Sequence, residues 1–189
     1  IKRGVSPLYL VLLFTLLGGC ITTTTGGFTE DASPEKALDE RLSLAREYLG
    51  KGNWDAAKRN LQLAADIDAN NPEVYEAYGL LYQSTGEYEL ADDNYRKAIT
   101  KDNKNISRAR NNYAAFLYTQ ERYEDAQKQL NEVVKDTLYA SRPNAFVNLG
   151  MCRLKLFDTE GAEEAFVRAL AMDRTNQAAL GEVAQIRSD

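Results

Sequence analysis

Few side chains in this 189-residue chain could take part in chemistry, and the two cysteines, Cys20 and Cys152, are the most reactive of them. The chain contains no histidine, which is the commonest general base at neutral pH and a common metal ligand. The acid pairs Asp92–Asp93 and Glu163–Glu164 fall on helix faces that we expect to be solvated. A glycine-rich phosphate loop, a Cys/His metal spacing and a nucleophile elbow are all missing from the sequence. We therefore expect no enzyme, no metal, no cofactor and no small-molecule substrate.

Cys20 stands at the end of a segment that has the layout of an export signal. Two basic residues near the start precede an apolar stretch at 8–17, and two glycines come directly before the cysteine. The apolar stretch is roughly half as long as a helix that spans a bilayer. Residues 17–20 (Leu-Gly-Gly-Cys) resemble the bacterial lipobox, whose cysteine is diacylated and becomes the mature N-terminus. We expect a lipoprotein signal peptide at 1–19 and lipidation of Cys20; the alternatives are an uncleaved anchor and a plain secretory signal.

The residues after Cys20 predict where the anchor lies and how the folded part is attached. By lipoprotein sorting rules, aspartate after the cysteine retains the protein at the inner membrane. Ile21 takes that place, which implies the periplasmic face of the outer membrane, held through acyl chains on Cys20. Residues 20–33 are expected to be the lipidated cysteine and a flexible tether with an end-to-end distance of roughly 20 Å. Cys152 would then lack a partner, and we expect it to be a buried, inert thiol.

The rest of the chain is organised by a repeat of about 34 residues. A small residue recurs at the eighth position of each repeat and a large apolar residue at the twenty-fourth, so that paired helices approach closely and the space between them is filled. These residues are Ala45, Gly79, Ala114 and Gly150, and Leu61, Tyr95, Leu130 and Phe166. No such unit can bury its apolar face alone, so the repeats must stack.

This is the tetratricopeptide pattern, and it predicts an all-α fold: a right-handed superhelix of antiparallel helix pairs over 34–189. The repeats lie near 38–71, 72–106, 107–142 and 143–176, with a partial one at 177–189. We expect helices at 34–50, 54–68, 72–85, 88–101, 106–120, 123–136, 143–156, 159–172 and 176–187. Gly52 and Gly86 suit tight turns that need a positive φ. Glu121 and Phe157 replace glycine in the other two pairs, so those turns should differ slightly in shape.

The first helix of each pair is predicted to line a concave groove. By the geometry of such arrays, positions 2, 5, 9 and 12 of a repeat face it, and the apolar residues among them suit a hydrophobic or amphipathic peptide. Position six holds Asn112 and Asn148, which either bond the backbone of a ligand or bond a neighbouring helix. A clamp for a peptide carboxylate would have only Arg46 and Arg108, so that ligand is not expected. The predicted groove residues are Leu42, Arg46, Leu49, Leu80, Gln83, Asn111, Asn112, Ala115, Tyr118, Val147, Asn148, Met151 and Leu154.

Two further features bear on partners. The connection at 136–142 is long, and its Leu138 and Tyr139 either form a possible binding contact or tuck back onto the stack. The formal net charge is −5, and the acidic body has no basic cluster, which argues against nucleic acid as a partner.

Several short stretches are more specific than the repeat itself. They are ADDNYRKA at 91–98, NNY at 111–113, FLY at 116–118, RYEDA at 122–126, DTLY at 136–139 and NLG at 148–150. Together they resemble the type IV pilus biogenesis and stability lipoproteins of the PilF/PilW family, over about residues 8–187.

The resemblance implies a pilotin, an outer-membrane lipoprotein that binds secretin subunits and promotes their outer-membrane targeting and multimerisation for type IV pilus biogenesis. The secretin of the type IV pilus would be the protein partner, and Cys20 the lipid site. The alternative is a periplasmic tetratricopeptide scaffold for another cell-envelope complex.

Overall fold

The structure, a computed structural model, describes residues 33–100 and 106–188. The predicted signal peptide, the lipid site at Cys20 and most of the tether lie outside the described residues. Nine α-helices are present within the described ranges. They are α1 (Pro34–Gly50), α2 (Trp54–Ile67), α3 (Pro72–Thr85), α4 (Tyr88–Thr100), α5 (Ile106–Thr119), α6 (Tyr123–Val133), α7 (Arg142–Lys155), α8 (Thr159–Met172) and α9 (Gln177–Ser188). Each corresponds to a predicted helix, and the largest difference is at α6, which ends three residues before the predicted bound.

Polar caps begin several of these helices. The Ser33 hydroxyl accepts a hydrogen bond from the backbone N–H of Lys36, and the Asn71 side chain accepts one from Glu73. Each of these caps is followed by proline at the start of the helix, where the missing N–H has no helical partner in any case. Asp158 caps α8 by accepting from the backbone N–H of Gly161. These local signals explain why the predicted starts agree with the structure.

The helices pack as antiparallel pairs, α1 with α2, α3 with α4, α5 with α6, and α7 with α8. Each second helix also contacts the first helix of the next pair, and α8 contacts α9 in the same way. The first helices contact one another in order, from α1 to α3, α5 and α7. This arrangement confirms the predicted all-α array of stacked helix pairs. None of the helices in the described part of the chain is both long and apolar enough to cross a membrane.

The turns within the four pairs share one backbone conformation. A residue with positive φ lies one or two positions after the end of each first helix, and the next residue donates its N–H to the carbonyl five positions back. The φ values are 70° at Gly52, 81° at Gly86, 59° at Glu121 and 62° at Phe157, and the four hydrogen bonds are 2.8–2.9 Å long. The prediction that the turns at Glu121 and Phe157 differ in shape is therefore wrong. The packing of the pair imposes the left-handed residue even where a side chain makes it unfavourable.

The predicted alternation of small and large residues forms the core. All four residues at the eighth position are buried, and the four large residues at the twenty-fourth have at most 1% of their surface exposed. Cys152 is buried within the same core, at 1% exposure, as the sequence predicted.

Candidate functional site

The predicted groove residues lie on α1, α3, α5 and α7, which are neighbours in the stack, but the structure divides them into sets with different environments. Leu42 and Val147 are buried, with 2% and 9% of their surface exposed. Their side chains belong to the core clusters between helices, so the prediction that these two residues line an open groove is wrong. Leu49, Leu80 and Leu154 are partly buried and pack against the core clusters.

The part of this face formed by α1, α3 and the start of α5 carries a network of charged groups that pair with one another. Arg46 Nη2 lies 2.8 Å from Glu73 Oε2, and Arg108 Nη2 lies 2.8 Å from the same oxygen. Arg108 also holds both carboxylate oxygens of Glu76, at 2.8–3.0 Å. Asn112 Nδ2 donates to Glu76 Oε1 at 2.7 Å. We call these five residues the glutamate–arginine network; it joins the first helices of three repeats.

Burial and pairing act in opposite directions on the charges of this network. Partial burial raises the pKa of Glu73, but hydrogen bonds from Arg46 and Arg108 outweigh it and hold the pKa below its usual value. Partial burial likewise lowers the pKa of Arg108, and the hydrogen bonds to Glu76 and Glu73 more than reverse this. Because Glu76 is only 2% exposed, it needs these donors to remain in the interior. The network therefore links repeats, and its two arginines are already paired with carboxylates.

Between α5 and α7 the same face is mostly apolar rather than charged, and a cavity of about 300 Å³ opens there. It is lined by Ala114, Ala115, Tyr118, Thr119, Leu130, Asn148, Met151 and Cys152. Ala115 is exposed, and Tyr118 and Met151 are half-buried, so the cavity is accessible from the surface. We call it the α5–α7 cavity. Four predicted groove residues, Ala115, Tyr118, Asn148 and Met151, are brought together here.

The α5–α7 cavity suits an apolar side chain of a partner. Its volume is at the lower end of the range of ligand pockets, and most of its lining is aliphatic, aromatic or sulfur-containing. Sequence reasoning missed four lining residues, and three of them occupy repeat positions that predict core. These three, Ala114, Leu130 and Cys152, are buried core residues that also line the cavity; the fourth is Thr119.

The two asparagines at position six both bond neighbouring helices, which is one of the two alternatives that the sequence left open. Asn112 belongs to the glutamate–arginine network, and Asn148 Nδ2 donates to Asn111 Oδ1 at 3.2 Å. Gln83, also predicted to line the groove, accepts a hydrogen bond from the Tyr95 hydroxyl at 2.8 Å. These bonds do not use every polar atom of the asparagines.

The two apolar residues of the long connection at 136–142 were expected either to form a binding contact or to tuck back onto the stack, and the structure places them differently. Tyr139 is half-buried and packs against the core, whereas Leu138 has 93% of its surface exposed. Phe157, at the turn between α7 and α8, is as exposed, at 94%. The sequence marked Phe157 only as a departure from glycine.

Among the described residues, no group of three or more His, Cys, Asp or Glu side chains is placed to hold a metal ion. Burial raises the pKa of the Cys152 thiol to about 11, which leaves little thiolate at neutral pH. The accessible feature is an apolar cavity with amide groups at its edge.

Comparison with known proteins connects this architecture to a family. The tetratricopeptide repeat model matches residues 72–105 and 143–176. The type IV pilus assembly protein PilF of Pseudomonas aeruginosa is 36% identical over 176 residues, which cover 93% of this chain and 69% of that protein.

Solved structures show the same relationship. The P. aeruginosa PilF structure superposes with a TM-score of 0.77 at 37% identity, covering 81% of this chain and 68% of the other. PilW, described as a widely conserved type IV pilus biogenesis factor, gives a TM-score of 0.71 at 22% identity, covering 81% of this chain and 70% of the other. At that identity PilW supports the fold alone.

Proposed function

The chain belongs to the PilF family of type IV pilus tetratricopeptide repeat proteins, and from this premise we propose that it is a pilotin. In this role it is an outer-membrane lipoprotein that binds secretin subunits and promotes their outer-membrane targeting and multimerisation for type IV pilus biogenesis. The role is one of protein interaction without catalysis.

The observation that carries this proposal is the α5–α7 cavity. The rest of the same face, formed by α1, α3 and the start of α5, carries the glutamate–arginine network, whose charged groups already pair with one another. An apolar segment of a secretin subunit would place a side chain in the cavity, beside Tyr118 and Met151. Burial of one large apolar side chain is worth about 1.5–3 kcal/mol, so further contacts along α5 and α7 are needed for a stable complex. While bound, that segment is shielded from aggregation, and acyl chains on Cys20 carry the complex to the outer membrane.

The first experiment blocks the cavity without disturbing the core. Ala115→Trp places a large side chain in the cavity mouth, and because Ala115 is exposed the fold should persist. Ala171→Trp, at an exposed position on α8, is the matched control. In cells that lack their own copy of the protein, Ala115→Trp should abolish co-purification of secretin subunits and reduce heat-resistant multimers. If Ala115→Trp retains both as fully as the control, the cavity is not the binding site.

A second experiment tests the lipid anchor. In Cys20→Ala cells with separated inner and outer membranes, secretin multimers should appear in the inner membrane. Unchanged secretin in both this variant and a deletion strain would contradict the pilotin role. Normal pili in the deletion strain, with co-purification of a different envelope complex, would instead favour the scaffold alternative.

A further inference from the structure

A second cavity, of about 310 Å³, lies on another side of α7 and shares no lining residue with the α5–α7 cavity. Residues of α6, α7 and α8, and those that directly follow α6, line it, and we call it the α6–α8 cavity. The lining carries one acidic side chain, Glu164, and four basic ones, Lys135, Arg142, Arg153 and Arg168. This is a local excess of positive charge in a chain whose formal net charge is −5.

Two of the four basic groups already have acidic partners. Lys135 Nζ lies 2.7 Å from Glu132 Oε1, and Arg168 Nε lies 3.2 Å from Glu164 Oε1. All four of these side chains are more than half exposed, so the pairs contribute little and open readily. The other two arginines therefore determine what the cavity binds.

The Arg142 guanidinium has donors that the fold does not use. Its Nε donates to the carbonyl of Val134 at 2.8 Å, and the group lies 5.5 Å from the centre of the Phe146 ring. Asp136 attracts it only at longer range, because the Asp136 oxygens accept hydrogen bonds from other groups. The two terminal nitrogens of Arg142 have no hydrogen-bond partner within residues 33–100 and 106–188.

Arg153 is less well satisfied, although only 21% of its side chain is exposed. Its Nη1 donates to the carbonyl of Gly161 at 2.7 Å. Its Nε is buried without a hydrogen-bond partner, and the Asp158 carboxylate lies 3.8 Å from it, beyond hydrogen-bond distance. A buried guanidinium donor without an acceptor is costly, so an acceptor supplied from outside would be bound favourably.

The corresponding cavity one repeat earlier shows which acceptor completes such a site. It is lined by residues of α4, α5 and α6, among them Arg122 and Asp125. Two carboxylates hold Arg122, that of Asp92 at 2.7 Å and that of Asp125 at 2.9 Å. By repeat register, Gln127 and Gly161 stand at the positions of these two aspartates. The α6–α8 cavity therefore lacks the carboxylates that neutralise an arginine in the preceding repeat.

The spacing of the two arginines indicates the size of the ligand. Arg142 and Arg153 are three turns apart on one face of α7, which separates them by about 16 Å along the helix axis. Phe146 and Leu149 line the cavity between them. A single small carboxylate cannot reach both guanidinium groups, whereas a protein segment can place two acidic side chains on them with an apolar side chain between.

We propose that the α6–α8 cavity binds an acidic segment of a protein partner, with one carboxylate paired with Arg142, another with Arg153, and an apolar side chain beside Phe146 and Leu149. Carboxylates and guanidinium groups form strong, charge-assisted hydrogen bonds. The inference goes beyond the proposed function, because it concerns a separate surface and does not depend on secretin as a partner.

The test uses the full chain, labelled with ¹⁵N in its arginine side chains, and two short probes. The acidic probe is acetyl-Glu-Gly-Leu-Val-Gly-Glu-amide, whose acidic residues are about 16 Å apart when it is extended. The neutral probe carries glutamine in place of both glutamates. The acidic probe should shift the Nε–H signals of Arg142 and Arg153 and leave that of Arg122 unchanged, because Arg122 is already paired. The neutral probe should shift none of the three.

Substitutions test the role of Arg153. Arg153→Leu should weaken binding of the acidic probe at least about tenfold through loss of a charged hydrogen bond. The third repeat has Leu117 at this position, so the free energy of unfolding in urea should not fall. Gln127→Asp supplies a carboxylate from within the fold, as Asp92 does one repeat earlier, and should also weaken binding. Arg59→Leu, at an exposed position on α2, is the matched control for the loss of one positive charge and should bind normally.

Several results would overturn the inference. They are equal binding of the two probes and unchanged affinity in Arg153→Leu. If Arg153→Leu lowers the stability, Gln127→Asp decides, and unchanged affinity in that variant overturns the inference. Equal shifts of the two arginine signals by sodium acetate or inorganic phosphate at the same concentration would show that the cavity takes a free anion rather than a protein segment. Ala115→Trp should bind the acidic probe normally, so failure of this site and failure of the pilotin role are distinguishable.

Discussion

Gly150 and Phe166 are matched so closely that a Cβ atom placed on Gly150 would lie 2.6 Å from Cε1 of Phe166. Gly79 has the same relationship to Tyr95, at 2.8 Å. In the other two repeats, the small residue is alanine and the large one is leucine. The two positions therefore vary together across the array, glycine with an aromatic ring and alanine with a shorter aliphatic chain. The sum of the two volumes sets how closely the helices of a pair can approach.

Gly150→Ala should destabilise the fold. The overpacking of Phe166 costs about 1–3 kcal/mol, which exceeds or cancels the helix propensity of about 1 kcal/mol gained from alanine. The free energy of unfolding in urea measures the difference. Gly181→Ala is the control, because nothing lies within 4 Å of its added Cβ, and it should stabilise α9 slightly.

Phe166→Leu in the Gly150→Ala background should recover part of the stability. The double variant reproduces the alanine–leucine pair that Ala114 and Leu130 form in the preceding repeat. A double-mutant cycle should then show a favourable coupling energy. Strictly additive effects would show that the two positions do not sense each other's volume.

Phe157→Gly should raise the stability of the array. A left-handed conformation costs a non-glycine residue about 1–2 kcal/mol, and a side chain that is 94% exposed contributes few contacts in return. Thermal and urea unfolding should show a gain of about 1 kcal/mol after the greater chain entropy of glycine is counted. Gly86→Ala imposes the opposite change and should lower stability; a loss of stability in Phe157→Gly would show that the ring has a structural role.

Acid should weaken the glutamate–arginine network. The pKa of Glu73 lies below its ordinary value of 4.5, so its contribution is complete above that pH and is lost as the pH falls through the lower folded-state pKa. Glu73→Gln should cost about 1 kcal/mol or less at neutral pH and should make the unfolding free energy less dependent on pH below 4.5. Glu40→Gln, at an exposed position on α1, controls for the loss of one negative charge. An unchanged pH dependence in Glu73→Gln would show that the network does not contribute in this way.

Cys152 should react slowly with thiol reagents while the protein is folded. At a pKa of about 11, roughly 0.1% of the thiol is ionised at pH 8, against about a quarter for an ordinary cysteine. We expect modification more than about a hundredfold slower than in the unfolded chain, measured in a Cys20→Ser background. Ala115→Cys, in a background that also replaces Cys152 by serine, places a thiol at the cavity mouth and should react rapidly. Equal rates would contradict the burial of Cys152.

The helix bounds and the small–large packing could be predicted because they depend on neighbours within one repeat. Capping residues and prolines set where α1 and α3 begin, and the pairing of Gly150 with Phe166 lies within a single helix pair. The openness of each groove position was not predictable in this way. Leu42 and Ala115 were both expected to line the groove, yet Leu42 is buried and Ala115 is exposed, because burial depends on how far side chains from adjacent repeats extend.

The sequence by itself determined the repeat register, the nine described helices and the family, because each of these is encoded in residue types at short, regular spacings. Only the tertiary structure decided which groove residues are available to a partner. The glutamate–arginine network joins residues about thirty positions apart, and a charged side chain in the sequence carries no mark of whether a neighbouring repeat neutralises it. The α5–α7 cavity likewise is lined by residues of three helices, α5, α6 and α7, and no single segment of the chain specifies how these helices pack.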